Sequence, residues 1–238
     1  MADAYQTLKD NRRIIEIFDK VNFRFNQTEN FRKNTADKNY KRACNGRYHA
    51  MYVVGVVEYI LHSLSYDRHT IELGKIAGLL HDIGYIYDGY NHARISAAMC
   101  SEFYDKTNLT IEDWQIIQHA ILEHSNGNNI SCAVEAALLI ADKIDMSKHR
   151  TIAVKEDLKK SGLTDENELN KYDDDLCLLD AIDISISNKI ITFNFITTIN
   201  PLTFRAKRLN PTNRNIRIIE EACAYLKLKT NYEVNGTK

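Results

Sequence analysis

The chain has 238 residues, 44% of them apolar and 26% charged, which is the balance of a soluble globular protein long enough for one or two cored domains. Its 31 basic and 32 acidic residues leave a net charge of -1, so no overall field attracts nucleic acid or an anionic membrane, and any phosphate binding has to be local. Five widely spaced cysteines without a CxxC pair argue against a disulfide scaffold or a zinc ribbon; with no apolar h-region at the start and no uncharged run near the ~20 residues of a membrane span, a cytoplasmic location is expected.

Both prolines, Pro201 and Pro211, lie after residue 200, so little besides glycine interrupts helices before them. Residues 48–64 place Tyr52, Val53, Val56, Val57 and Ile60 on one broad apolar face, with His49 one turn before Val53. Thr70 can cap a helix through TIELGKIAGLLHDI, and Gly84 stands where a left-handed residue would end it, which puts His81 and Asp82 in its last turn. Asn91 can cap HARISAAMCSEFYDK, and Thr110 with Asp113 approximates a capping box before IEDWQIIQHAILEHS. An alanine- and aliphatic-rich helix over 130–145 reads as central to the bundle.

After residue 150 the texture changes, and the charged stretch 155–175 reads as exposed helix and linker. An all-α domain over 1–170 and a small α+β unit over 171–238 are expected, making the chain α+β overall. The C-terminal unit should hold a hairpin of DISIS and IITFNFIT turning at Asn188-Lys189, a helix in NRNIRIIEEACAYLKLK and a short strand in NYEVNG.

Chemistry concentrates in one ordered set, each member on or beside a separate expected helix: His49, His81-Asp82, His92, His124 and Asp142. Imidazoles and carboxylates ligate divalent iron, manganese and zinc, and helical bundles build metal sites from facing helices. His124 shares the inward face of Ile117 and Ile121, whereas His119 falls among Glu112, Gln115 and Glu123. Asp142 follows Leu138 and Leu139 in an apolar helix, where a carboxylate is costly unless paired or coordinated.

This set resembles the HD superfamily of metal-dependent phosphohydrolases over roughly residues 45–150. LLHDIGY is similar to its signature, NHARISAA to its next helix, AILEHS to its next histidine segment and ADKID to its final aspartate. The spacing looks most like the bacterial diadenosine tetraphosphate hydrolases that carry two iron ions. The resemblance implies an HD-type bundle with two divalent ions, Fe, Mn or Zn, and catalysis centred on His81 and Asp82. One ion would be held by His49, His81, Asp82 and Asp142 and the other by His92 and His124, with Asp82 bridging. A small phosphorylated substrate, a nucleotide by expectation, would be cut by a metal-activated water.

Tyr85 stands where many relatives carry lysine, and the extensions that mark cyclic dinucleotide and guanosine tetraphosphate hydrolases are absent, which ranks both substrates lower. For phosphate contact the expected cations are Arg94, Lys143 and Arg150, with Lys148 beside them. Asp145 and Glu123 are candidates to orient the histidines. The basic residues Lys207, Arg208, Arg214 and Arg217 can face the site, and the C-terminal unit otherwise reads as a lid or a homodimer contact. Two alternatives remain open: a di-iron oxygenase of the same helical fold, and a nucleotide-sensing protein.

Overall fold

A computed structural model describes residues 47–88, 90–127, 129–146 and 179–237. Helix α1 (Arg47–Ser63) carries the expected apolar face, with Val53, Val56, Val57 and Ile60 buried. Helix α2 (Arg68–Leu80) packs closely on it because two glycines a turn apart remove side chains from the contact. A β-carbon on Gly74 would stand 2.7 Å from Val57 Cγ1 and 2.8 Å from Leu61 Cδ1; one on Gly78 would stand 3.2 Å from Val53 Cγ1.

The start and end of α2 both differ from the sequence reading. Asp67, not Thr70, is the cap: its carboxylate accepts from the Thr70 amide at 2.9 Å and from the Thr70 hydroxyl at 2.8 Å, and a carboxylate three residues upstream outcompetes a hydroxyl inside the first turn. The helix stops at Leu80 with His81 at its C-cap, and Asp82 leads into a 3-10 turn over Ile83–Ile86. Gly84 therefore sits inside that turn and its φ is not positive; it is needed for close approach instead.

Helix α3 (His92–Met99) continues as a 3-10 segment over Cys100–Lys106. Asn91 occupies its N-cap position, but the side chain donates to Asp88 Oδ2 at 2.6 Å rather than capping. Helix α4 (Ile111–Glu123) opens on the full Thr110–Asp113 capping box. Helix α5 (Ala133–Ile144) is buried almost throughout and packs on α1, α2 and α4.

Strands β1 (Leu179–Ser187) and β2 (Ile190–Thr197) form an antiparallel hairpin whose turn residues, Asn188 and Lys189, both have φ near the left-handed value that a two-residue hairpin turn requires. Helix α6 (Pro201–Arg208), which the sequence reading did not anticipate, starts on Asn200, whose side chain accepts from the amides of Leu202 and Thr203. Helix α7 (Arg214–Tyr225) then returns the chain so that β3 (Lys229–Val234) runs parallel to β2. The sheet order is β1-β2-β3.

The result is α+β: a helical bundle followed by a small three-stranded unit. One apolar core runs from Val53 and Ile60 through Leu138 and Ile140 to Ile219, Phe193 and Phe195. Helix α7 packs on α5, so the C-terminal unit rests on the central helix of the bundle. The expected boundary at 170/171, the stretch 155–175, Lys148 and Arg150 lie outside the described residues. Among the described residues no helix is long and apolar enough to cross a membrane.

Replacing Gly74 by leucine tests the α1–α2 contact. The gain in helix propensity, about 1 kcal/mol, is smaller than the cost of forcing extra methylenes into a packed interface, about 1–3 kcal/mol, so urea denaturation should show a net loss of stability.

Candidate metal centre

Three helix ends converge on one buried point. His81 is the C-cap of α2 and His124 the C-cap of α4, and each donates its Nδ1–H back to the carbonyl three residues earlier: His81 to Gly78 at 2.7 Å, His124 to Ile121 at 2.6 Å. Those carbonyls belong to the last helical turn, where the backbone lacks its own partners. Because a carbonyl only accepts, the bond fixes the tautomer, and the Nε2 of each ring presents a lone pair inward. His49, in the first turn of α1, is oriented likewise by Asp145, whose Oδ2 accepts from Nδ1 at 2.7 Å. Asp142 comes from the last turn of α5, and its Oδ2 accepts from Lys143 at 2.6 Å.

The inward atoms form two clusters. In the first, His49 Nε2 stands 3.2 Å from His81 Nε2, 3.1 Å from Asp142 Oδ1 and 3.7 Å from Asp82 Oδ2. His81 Nε2 stands 3.2 Å from Asp82 Oδ2 and 3.8 Å from Asp142 Oδ1. In the second, His92 Nε2, His124 Nε2 and Asp82 Oδ1 are mutually 3.2, 3.4 and 3.3 Å apart. Donors held ~2.1 Å from one ion in tetrahedral or octahedral array stand about 3.0–3.4 Å from each other, a spacing that the second cluster keeps throughout and the first keeps for three of its five separations, the other two being wider.

Asp82 divides its carboxylate between them, Oδ2 to the first and Oδ1 to the second, and both oxygens are buried without a hydrogen-bond partner among the described residues. Burial by itself would raise the Asp82 carboxyl, but the imidazoles of His81 and His124 beside it hold it well below the usual carboxylate range. At Asp142 burial is likewise outweighed, first by Lys143, then by His49, His81 and His124. Two buried carboxylates need positive charge beside them, and divalent ions on the Nε2 side would supply it without adding a proton to any ring. The helix C-termini of α2, α4 and α5 add partial negative charge in the same direction. The buried histidines and aspartates present are chemically fit to hold divalent metal.

A close backbone contact holds the halves together. A β-carbon on Gly84 would fall 2.3 Å from the His92 carbonyl oxygen and 2.6 Å from the Ser96 nitrogen, and the Gly84 amide donates to Ser96 Oγ at 2.8 Å. This presses the turn after Asp82 against the start of α3. Tyr85, from the same turn, stacks on the His92 ring with centroids 4.0 Å apart.

All six residues singled out in the sequence, His49, His81, Asp82, His92, His124 and Asp142, come together here. His119 does not: its ring is 45% exposed and pairs with Glu135 on α5. Asp145 touches His49, whereas Glu123 is half-buried at the end of α4. Arg94 is exposed on α3, and Lys143 is engaged by Asp142. The sequence reading passed over Ser125, whose Oγ lies 3.2 Å from His92 Nε2; only its place directly after His124 hinted at it.

A family model described as HD domain matches residues 47–184, more than half of the chain and reaching into β1. No curated protein matches the chain.

Two substitutions probe this construction. Gly84→Ala must separate two backbones, neither of which can rotate away, and should cost about 3 kcal/mol of stability in denaturant titrations. Asp145→Ala frees the His49 ring and should weaken divalent-metal affinity about 10- to 100-fold, read by calorimetry, with little change in fold by circular dichroism.

Proposed function

This chain belongs to the HD domain family, whose members are generally metal-dependent phosphohydrolases, and from that premise we propose that it hydrolyses a phosphoester or phosphoanhydride bond of a nucleotide at a two-metal centre. The observation that carries the reading is the division of Asp82 between two clusters of inward lone pairs, the arrangement a carboxylate takes when it spans two cations. We assign His49, His81, Asp82 and Asp142 to one ion, and His92 and His124 with Asp82 to the other.

Divalent iron, manganese or zinc would supply Lewis acidity there, activating water and offsetting the charge of the phosphate oxygens. The protein's part is to keep the donors deprotonated and aimed. His49, His81 and His124 each spend their Nδ1 proton on Asp145, Gly78 and Ile121, so ligation needs no further proton loss from them. The burial of His81, Asp82 and His124 restricts water on the protein side of the site and leaves electrostatic attraction poorly screened.

For the substrate, the family resemblance favours a dinucleoside polyphosphate. Arg94 is exposed at the start of α3 and suits bidentate phosphate contact, and the Lys143 ammonium retains donors beyond the one given to Asp142. Both are proposed as phosphate partners, with Arg150 a third.

Phosphate release from a panel of mono-, di- and dinucleoside polyphosphates, with Fe²⁺, Mn²⁺ or Zn²⁺ added, tests the reading. Hydrolysis should appear with at least one metal and fall by about three orders of magnitude or more in Asp82→Ala, as expected when a group central to transition-state stabilisation is removed. Oxygen consumption with iron and no phosphate release would replace it by an oxygenase.

A further inference from the structure

We propose that Ser125 Oγ is a fourth protein donor of the second cluster and that Arg214, from the C-terminal unit, is the positioning residue that sets it there; this rests on the two-metal reading above. Ser125 follows the C-cap residue of α4. Its hydroxyl oxygen stands 3.2 Å from His92 Nε2 and 3.4 Å from His124 Nε2, the same separations that His92, His124 and Asp82 Oδ1 keep among themselves. A hydroxyl engaged only in hydrogen bonding to one ring would approach it at about 2.8 Å and turn from the other. Near-equal distances to both nitrogens are those of one more donor around a shared centre.

The chemistry agrees. The first cluster has four protein donors, two nitrogens and two carboxylate oxygens, while the second has three without Ser125. A serine hydroxyl completes it with a neutral oxygen, adding no charge to a pocket already holding two carboxylates, and oxygen ligands suit manganese and iron better than soft metals. The hydroxyl keeps its proton, so no proton has to leave the site for it to bind.

The backbone carrying this hydroxyl is held from outside the bundle. Arg214, the first residue of α7, donates through one Nη2 to the Ser125 carbonyl at 2.9 Å and to Asn126 Oδ1 at 3.2 Å. Two residues on, Gly127 turns at φ +68°, and a β-carbon there would meet Ile218 of α7 at 3.1 Å. The segment 125–127 is thus clamped between the second cluster and α7. This gives the C-terminal unit a defined part in the site: Arg214 fixes the carbonyl of the residue whose hydroxyl faces the metal.

Anaerobic calorimetric titration of the metal-free full chain with Mn²⁺ separates the parts of the proposal. Wild type should bind two ions in resolvable phases. Ser125→Ala should leave one phase unchanged, which is its own check that the bundle is folded, and weaken the other about 10- to 100-fold, with Ser125→Thr restoring it. Arg214→Ala should weaken that same phase to a lesser degree. Two unchanged phases in Ser125→Ala would overturn the ligand assignment, and in Arg214→Ala equal weakening of both phases, or of neither, would overturn the positioning role. A stoichiometry of one ion per chain in wild type would overturn the two-metal reading itself and this inference with it.

Discussion

Buried lone pairs facing one another have to be reconciled by positive charge, and in this protein that requirement shapes the bundle around it. The Nε2 atoms of His49, His81 and His124 meet the carboxylates of Asp82 and Asp142 at 3.1–3.8 Å, in a pocket where Asp82 is 2% exposed and His81 not at all. Without cations the cluster would be a cost of several kcal/mol to the fold rather than a contribution. With them it becomes a crosslink among α1, α2, α3, α4 and α5, each of which, or the residues immediately flanking it, supplies a donor. The helix ends are recruited twice: their unpaired carbonyls orient the imidazoles, and their dipoles make the pocket more attractive to cations.

Two close contacts make that convergence possible. Gly74 and Gly78 let α2 lie against Val53, Val57 and Leu61 on α1, which brings His81 to His49. Gly84 lets the turn after Asp82 touch the backbone of α3, which brings His92 to the other oxygen of the same carboxylate. The C-terminal unit continues the pattern from a greater distance, with Arg214 and Ile218 holding the segment that follows His124.

Much of this was legible in the sequence, for identifiable reasons. The bundle could be read because each helix has strong local signals: the Thr110–Asp113 box, the apolar face of α1, the alanine-rich α5. The six clustered residues could be read because histidines and aspartates recurred in order at the edges of those helices, and His124 could be separated from His119 by the face it shares with Ile117 and Ile121. What escaped depended on contacts distant in sequence. Gly84 suggested a left-handed helix end, but what it answers to is the backbone of residues 92–96, invisible to any local rule. Thr70 was displaced as cap by Asp67 because both are capping residues and only geometry selects between them. Helix α6 was passed over although Asn200-Pro201 is a cap followed by proline at the first helical position. The parallel pairing of β3 with β2 could not be read from a short strand alone, and Ser125 lacked any signal beyond its neighbour.

The most direct measurement of the central claim is the metal content of the full chain purified without air or chelator, by elemental analysis against protein concentration. The account predicts about two iron, manganese or zinc ions per chain, in keeping with two clusters of hard and borderline donors. A protein that is folded and carries no such ions, and takes up none when they are supplied, would contradict it.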